Sequence, residues 1–397
     1  VDTNQGLWGC GTGTSDAVSI HYQSGGNLSL ETYDGSLNPK LRTTRAFRDP
    51  AAWYHLVFSI DTTDSSASER LKIWINGVEE TDFITDTTIT QDSDIPGWSA
   101  ASDVMKIGNR ILDGDAFFDG EMAHVHVIDG TIYAASAFGE TDSTSGIWVA
   151  KTGPSVTYGT NGGFYKFVSG ALTTDSSGES NTLTQVGSPT TTQDNPDNNF
   201  ATLNPLDTSF GTTPTISNGN TTTTTPNSWA GSTIPIQSGK WYWEVKVPSA
   251  GVECVTGVLL ANHLNYSGTD WLGVSIAGVY GFAGISGNKI TSGTSASYDS
   301  AISTNDVMRF AMDAAAGSLY VGVNGTWLQS SNPATSTSPM ISGMGTSETW
   351  IPFATTSSTG GYCINNFNFG NGYFGTTSHG ETNADDAGIG LFKYDVP

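Results

Sequence analysis

Short runs in which apolar and polar residues alternate cover most of the chain, and turn-forming residues separate them. Val18–Tyr22, Leu28–Tyr33 and Gly120–Gly130 are examples from the first half. Alternation with a period of two, bounded by Gly, Asn, Asp and Ser, predicts half-buried antiparallel strands. An Ala-rich interruption at Ala134–Gly139 predicts one short helical turn.

One pattern occurs twice: an aromatic-rich strand, a polar turn, and a further strand that ends at an Asn-Gly pair. The two copies comprise Ala52–Ile60 with Leu71–Val78, and Gly239–Val245 with Asp306–Asp313 and Gly317–Trp327. Asn-Gly tolerates positive φ at both central positions of a tight turn, so each copy predicts a β-hairpin. A chain of this kind presents loops and sheet faces, which favours binding over catalysis.

The composition changes along the chain and suggests where domains begin and end. Residues 166–234 are rich in Thr, Ser, Asn, Gly and Pro and include the run Thr221–Thr225. Such a stretch is typical of a connector, although its scattered Phe and Leu residues predict that part of it packs on a domain. We therefore expect a β-sandwich in residues 1–165, a connector in 166–234, a second sandwich in 235–376 and a tail in 377–397.

Composition and charge narrow the range of partners. The 397 residues include 48 Gly, with 37% hydrophobic and 11% aromatic residues, which favours a compact all-β protein. Lys and Arg total 15 against 38 Asp and Glu, for a formal net charge of -23. That charge repels phosphate backbones and anionic bilayers, so no nucleic acid partner and no membrane insertion are expected.

Cysteines and terminal segments add little to the functional prediction. Cys10, Cys254 and Cys363 are far apart, without metal-ligand spacing. Free buried thiols are favoured, and a disulfide between Cys254 and Cys363 is the alternative. No apolar run is long enough for a transmembrane helix, no basic-then-apolar signal peptide opens the chain, and it does not begin with Met.

The two halves resemble two kinds of lectin-type sandwich. The first half, through Trp53–His55, Lys72–Gly77 and Phe118–Val125, resembles the concanavalin A-like or laminin-G-like jelly roll. The second half, through Gly239–Val245, Asp306–Asp313 and Asn366–Gly370, resembles a SPRY domain. Together they imply an all-β chain of two antiparallel jelly-roll β-sandwiches with a Thr/Ser-rich connector.

The combination of modules resembles large structural or fibre proteins of marine tailed bacteriophages. Three further motifs contribute to this resemblance: Phe47–His55, Phe138–Glu140 and Asn204–Leu206. It implies a fibre, appendage or capsid-decoration protein at the virion surface that binds host-surface glycan or protein through sandwich loops. It also implies other virion proteins as partners and a homo-oligomer, often a trimer. Proteins of this kind extend beyond both ends of this chain, so we expect a fragment of a longer protein.

Tryptophans are the first candidates for ligand contact. Most of the eleven lie inside strand patterns and are expected in the core; examples are Trp53, Trp74, Trp241, Trp243 and Trp327. Trp98, Trp229 and Trp271 lie beside polar or Gly-rich turns instead. They are the predicted sugar-stacking residues, with buried loop anchors as the equal alternative.

Acidic and histidine pairs are candidates for metal binding. Asp113 and Asp115 form a compact acidic turn that could bind calcium, as does Asp92-Ser93-Asp94, although neither follows the EF-hand loop pattern. No other cofactor is expected. His124 and His126 alternate along a predicted strand, yet no third ligand is evident, so a solvated or inter-sheet position is favoured over a metal site.

Catalysis is the alternative class of function. Jelly-roll folds include glycoside hydrolases that need two carboxylates close together, and Asp119 with Glu121 is the best pair for one strand face. The third acidic residue of that hydrolase motif is missing, so no catalytic residue is assigned and the chain is not expected to be an enzyme. A polysaccharide-degrading enzyme and a secreted bacterial adhesin remain the alternatives.

Overall fold

The computed structural model describes residues 4–13, 15–49, 52–111, 116–143, 146–206, 214–224, 229–250, 253–262, 276–356 and 363–397. The chain forms two compact units, Val1–Thr191 and Thr192–Pro397. Every pairing between named strands of the described residues is antiparallel, and the α-helix is absent from them. The predicted all-β class is therefore confirmed. The short helical turn near Ala134 is also confirmed, as the 3-10 helix Ala135–Ala137.

The first unit contains the strands β1 to β13. These are β1 (Gln5–Gly13), β2 (Asp16–Tyr22), β3 (Asn27–Asp34), β4 (Leu37–Ala46), β5 (Leu56–Ile60), β6 (Leu71–Ile75), β7 (Val78–Glu79), β8 (Phe83–Asp86), β9 (Val104–Ile107), β10 (Val125–Val127), β11 (Gly139–Thr141), β12 (Trp148–Ala150) and β13 (Gly163–Tyr165). One sheet has the order β8-β4-β3-β2-β1-β9 and another has the order β5-β6-β7, while β10-β13 and β11-β12 form short ribbons.

The two larger sheets of the first unit pack face to face. Alternate residues of the six-stranded sheet, such as Ile20, Leu28 and Leu30, share a buried cluster with Leu71 and Ile73 of the three-stranded sheet. Because the strand period is two, the same strands direct their other residues to the opposite face. This arrangement is a β-sandwich, as the alternation predicts.

The opposite face of the six-stranded sheet is buried and polar. Glu31 is 2% exposed and accepts a 2.6 Å bond from Arg110, which is 7% exposed. Gly6 permits this contact, because a Cβ at that position would overlap the backbone of Arg110. The backbone around Arg110 therefore lies directly against β1.

The second unit contains the strands β14 to β30. These are β14 (Ile216–Ser217), β15 (Thr222–Thr223), β16 (Trp229–Gly231), β17 (Lys240–Ala250), β18 (Cys254–Leu260), β19 (Val279–Ala283), β20 (Asn288–Thr291), β21 (Thr294–Ser297), β22 (Val307–Asp313), β23 (Ser318–Val323), β24 (Thr326–Trp327), β25 (Trp350–Thr356), β26 (Cys363–Asn368), β27 (Tyr373–Phe374), β28 (Thr377–Ser378), β29 (Asn383–Ala384) and β30 (Leu391–Phe392). The main sheets have the orders β14-β15-β26-β17-β22-β23-β24 and β16-β25-β18-β19-β20-β21.

These two sheets also pack as a sandwich. Val245 and Met308 of the seven-stranded sheet share one buried cluster with Val258, Phe282 and Ala354 of the six-stranded sheet. The residues that alternate with Val245 and Met308 point to the outer face of the seven-stranded sheet. That outer face positions the candidate site described below.

Segments assigned to the connector and the tail from the sequence contribute strands to the second unit. Thr222 and Thr223 of the threonine run pair with β26, and Trp229–Gly231 pairs with β25. Leu391–Phe392 pairs with Asn383–Ala384, and Phe392 is 3% exposed. β-Branched threonine suits a pleated sheet, so a run of it can act as a strand as well as a linker. The boundaries at 165, 234 and 376 stay predictions.

Cysteines and tryptophans test the predicted core. All three cysteines are buried and free, as favoured from the sequence. Trp243 is 1% exposed, as expected for a core residue, whereas Trp241 is 41% exposed. The expectation for Trp241 is wrong: this residue shares the core-facing side of β17 with Trp243, but it is the second residue of the strand, where its ring is less covered. None of the helices in the described part of the chain has the length and hydropathy to span a bilayer.

Candidate functional site

A cavity of about 430 Å³ opens in the second unit, where the outer face of the seven-stranded sheet meets the last residues of the chain. It is lined by Lys246, Thr304, Asn305, Asp306, Val307, Asn324, Phe374, Thr377, Ser378, His379, Lys393 and Tyr394. Its volume lies within the range of roughly 300 to 1,000 Å³ that is usual for small-molecule sites. We refer to it as the outer-face pocket.

One wall of the pocket is the turn between β23 and β24. Asn324 and Gly325 have φ values of 47° and 87°, which lie in the left-handed region that a tight hairpin turn requires. The Asn324 side chain accepts a 2.9 Å bond from the backbone N–H of Val307 and donates a 2.6 Å bond to the carboxylate of Asp306. Asp306 also accepts a 2.7 Å bond from the backbone N–H of Ser303. These bonds fix the turn against the start of β22.

A second wall comes from the last residues of the chain, which Glu244 holds in place. Glu244 is 0% exposed and lies on the outer face of β17. Its carboxylate accepts 2.9 Å bonds from the backbone N–H groups of Lys393 and Tyr394. It also accepts bonds from the Tyr242 hydroxyl at 2.9 Å and from the Asn368 side-chain amide at 3.1 Å. Four donors to one buried carboxylate satisfy its lone pairs and fix the strand beside it.

Arg309 completes the support of this wall. Its guanidinium lies 4.2 Å from the ring centre of Trp327 and 5.6 Å from that of Tyr394, and it donates a 2.8 Å bond to the Gly325 carbonyl. Gly322 provides the space, because a Cβ there would approach the Arg309 Nε to 2.7 Å. Burial, followed by the charge of Glu244, raises the pKa of Tyr394. The Tyr394 phenol therefore stays protonated and remains a hydrogen-bond donor at neutral pH.

His379 lies on the rim formed by the β27–β28 hairpin. Its Nδ1 lies 3.1 Å from the backbone N–H of Glu381, and its Nε2 lies 3.3 Å from the carbonyl oxygen of Leu391. The first contact needs an acceptor and the second a donor, so the ring fits the neutral tautomer protonated on Nε2. The pocket thus combines amide, hydroxyl, imidazole, ammonium and aromatic groups.

The predicted stacking tryptophans do not line this pocket. Trp98 is partly buried and packs on Trp8, with ring centres 5.6 Å apart. Trp229 is 2% exposed and belongs to a buried cluster with Phe353. Its ring is not available to a ligand, so of the two alternatives for this residue the buried anchor agrees with the structure and the sugar-stacking role does not. Trp271 lies outside the described residues.

The structure also bears on the predicted metal sites. Asp113 and Asp115 lie outside the described residues, so their predicted calcium site stays a prediction. Asp92 and Asp94 are exposed. Within the described ranges, no group of three or more His, Cys, Asp or Glu side chains is arranged to hold a metal ion.

The histidine pair lies in an aromatic cluster. His126 stacks on Phe164 with ring centres 4.0 Å apart, and its Nδ1 lies 2.9 Å from the Tyr158 hydroxyl. His124 precedes β10 with a φ of 53° and contacts the edge of the same Phe164 ring. Burial, and then the neighbouring positive groups His124, His55 and Lys166, lower the pKa of His126 to about 3. The two histidines therefore pack against aromatic side chains of the first unit.

The carboxylate pair proposed for catalysis is not on a strand. Strand β10 begins at Val125, so Asp119 and Glu121 lie in irregular chain before it, and both are exposed. The expectation that they share one strand face is wrong. Gly120 between them breaks the regular strand, because glycine weakens strand formation.

The residues that form the pocket were present in the sequence motifs but not recognised as a site. Asn324 belongs to a predicted hairpin, Asp306 to a predicted strand, and Tyr394 to the predicted tail of residues 377–397. The sequence held one signal for the site: Glu244, a charged residue, directly follows three aromatic residues within a predicted strand. Their convergence depends on contacts across 150 positions, such as that of Glu244 with Tyr394.

Comparison with known proteins bears mainly on the first unit. The family model of the concanavalin A-like lectin/glucanases superfamily matches residues 2–137. Those residues are similar to that superfamily. The match lies wholly within the first unit and agrees with its predicted class. No curated protein sequence matches the chain.

One similar solved structure is the SPRY domain of human HERC1. The identity is 16% and the TM-score 0.31, over 39% of this chain and 91% of that chain. A TM-score this low does not establish a shared fold. The sandwich architecture of the second unit therefore rests on its own sheets, and its SPRY-like character stays a prediction.

Proposed function

We propose that this protein is a binding protein of a tailed-bacteriophage particle and that its outer-face pocket binds a saccharide of the host surface. The observation that carries the proposal is the lining of the pocket. Amide and hydroxyl groups of Asn305, Asn324, Thr377 and Ser378 surround a cavity bordered by the ring of Tyr394. Sugars offer many hydroxyl groups together with apolar C–H faces, so such a lining suits them.

Binding is proposed rather than catalysis because the pocket lacks a pair of carboxylates. Asp306 is the single Asp or Glu of the pocket lining, and both of its oxygens accept hydrogen bonds from the protein. Glycoside hydrolysis needs two carboxyl groups on either side of the scissile bond. Asp119 and Glu121 of the first unit are exposed and do not lie on a strand.

The placement on a virion is supported by the sequence resemblance. A fibre, appendage or capsid decoration, other virion proteins as partners, and a homo-oligomer such as a trimer all belong to this part of the proposal. Mass spectrometry of purified particles should detect peptides of this chain together with capsid proteins. Detection only as a free bacterial surface protein would favour an adhesin and contradict the virion assignment.

The saccharide part is tested on an array of bacterial surface oligosaccharides. Wild-type protein is compared with Tyr394→Ala, which removes the aromatic border, and with Trp241→Ala, which removes an exposed aromatic residue outside the pocket lining. Loss of one stacking ring should weaken binding about tenfold for Tyr394→Ala. Trp241→Ala should bind like wild type.

Unfolding curves of both variants establish that the second unit stays folded. A binding signal that is lost in Trp241→Ala and kept in Tyr394→Ala would move the site to the face of β17. Equal binding by all three proteins would remove the outer-face pocket as the saccharide site.

A further inference from the structure

The residues that line the outer-face pocket include more cations than carboxylates, which is the reverse of the whole chain. The sequence has 15 Lys and Arg against 38 Asp and Glu. The pocket lining, however, has two lysines, Lys246 and Lys393, and a single carboxylate, Asp306. A local excess of cations on an acidic protein is the feature from which the nature of the ligand can be inferred.

Asp306 does not neutralise these lysines. Its carboxylate accepts hydrogen bonds from Asn324 at 2.6 Å and from the backbone of Ser303 at 2.7 Å. Among the described residues, neither Lys246 nor Lys393 forms an ion pair with a carboxylate, including that of Asp306. The carboxylate of Asp306 fixes the turn, and Lys393 Nζ lies 5.9 Å from the centre of the Tyr394 ring that borders the pocket.

Two lysines of the first unit, Lys72 and Lys151, do pair with carboxylates. Lys72 pairs with Glu69 at 2.6 Å and with Glu79 at 3.3 Å, and Lys151 lies 3.8 Å from Glu140. Lys246 and Lys393 differ from these two lysines because they are partly buried and border a cavity.

We propose that the outer-face pocket binds an acidic sugar, whose carboxylate or sulfate group interacts with Lys246 and Lys393. This inference rests on the proposed saccharide function and specifies its ligand class. His379 contributes no charge in the tautomer that its hydrogen bonds require. The two ammonium groups supply the charge-assisted bonds, and the hydroxyl and amide groups of the lining bind the neutral part of the sugar.

The test is calorimetric titration of the full chain with acidic oligosaccharides and their neutral counterparts. The panel contains galacturonate and glucuronate oligomers with their methyl esters, and sulfated galactose oligomers with their desulfated forms. The comparison of the two acidic classes distinguishes a carboxylate from a sulfate ligand. The proteins are wild type, Lys246→Met, Lys393→Met and the control Lys240→Met. Lys240 is an exposed lysine of the same strand as Lys246, and it does not line the pocket.

Because hydrogen bonds to charged groups are stronger than those between neutral groups, we expect an acidic form to bind at least about tenfold more tightly than its neutral form. Lys246→Met and Lys393→Met should each remove most of that preference, while Lys240→Met keeps it. Equal binding of acidic and neutral forms, lost in Tyr394→Ala, would overturn the charge inference and leave the saccharide function intact. Binding of no panel member, or binding unaffected by Tyr394→Ala, would overturn both.

Discussion

The two Asn-Gly hairpins of this protein have the same local structure and different surroundings. In the first unit, Asn76 and Gly77 have φ values of 48° and 79°; in the second, Asn324 and Gly325 have values of 47° and 87°. Each asparagine also accepts a bond from a backbone N–H of an adjacent strand region, at 2.8 Å for Asn76 and 2.9 Å for Asn324. The turns are therefore matched in conformation and in support.

What covers each turn is different. In the first unit the Trp148 ring lies against Gly77, where a Cβ would overlap it, and against Gly139. The same ring donates a 3.1 Å bond from Nε1 to His55. In the second unit Asn324 borders the outer-face pocket. Short-range sequence determines the turn, whereas a distant segment determines whether the turn is covered or available to a ligand.

The largest expected loss of stability comes from removing the carboxylate of Glu244, which holds Lys393 and Tyr394 beside the second turn. Glu244→Ala leaves four donors without their acceptor and a buried Arg309 without its nearby charge. We expect a loss of about 3 to 5 kcal/mol in the stability of the second unit. Urea unfolding followed by near-ultraviolet fluorescence measures it.

Glu140→Ala is the control, since its carboxylate is 65% exposed and 3.8 Å from Lys151. A pair of this kind contributes little, so its unfolding curve should match wild type. Equal, small effects of Glu244→Ala and Glu140→Ala would contradict the role given to Glu244.

A matched pair of glycine substitutions separates the two turns. Both Gly77→Ala and Gly325→Ala place a side chain in the left-handed region, which costs about 1 to 2 kcal/mol. Gly77→Ala also forces the Trp148 ring to move, whereas at Gly325 the nearest atoms of Tyr394 lie at 3.2 Å. We expect Gly77→Ala to cost about 1 to 3 kcal/mol more. Equal losses in thermal unfolding would show that Trp148 does not enclose its turn tightly.

Acid should destabilise the first unit before the second. The pKa of His126 falls from its ordinary 6.5 to about 3 in the folded chain, so the unfolded chain binds this proton more readily. The stabilisation is complete above pH 6.5 and decreases as the pH falls toward 3, by about 2 kcal/mol near pH 5. Burial also lowers the pKa of His55, whose Nδ1 accepts the bond from Trp148.

Unfolding of the first unit is followed between pH 7.5 and 4.5 in wild type and His126→Phe. The phenylalanine ring can stack on Phe164 but cannot bind a proton, so the slope with pH should become shallower. An unchanged slope would assign the acid sensitivity to other groups.

The smallest expected loss of stability comes from replacing the turn asparagines, and saccharide binding should then distinguish the two turns. Asn76→Ala and Asn324→Ala each remove the side-chain acceptor of a backbone N–H, and Asn324→Ala also removes the donor to Asp306, for about 1 kcal/mol per lost hydrogen bond. Only Asn324→Ala should weaken saccharide binding, because Asn76 lies in the other unit. Weakened binding in Asn76→Ala, with normal folding, would contradict the assignment of the site to the second hairpin.

The hairpins were predictable from the sequence because a tight turn depends on adjacent residues. Period-two alternation likewise predicted the strands that carry Ile20 and Val245. The site was not predictable in the same way, since Glu244, Asn324 and Tyr394 are far apart in the sequence. A side chain's exposure also depends on distant segments, and Trp229 beside a polar turn is buried for that reason.

Hydrogen–deuterium exchange of the full chain with a bound acidic oligosaccharide tests the central claim most directly. The account predicts slower exchange in peptides that cover residues 303–307 and 391–394, without change in residues 71–79. Slower exchange at residues 71–79, or none near Asp306 and Tyr394 despite saturating ligand, would contradict the assignment of binding to the second hairpin.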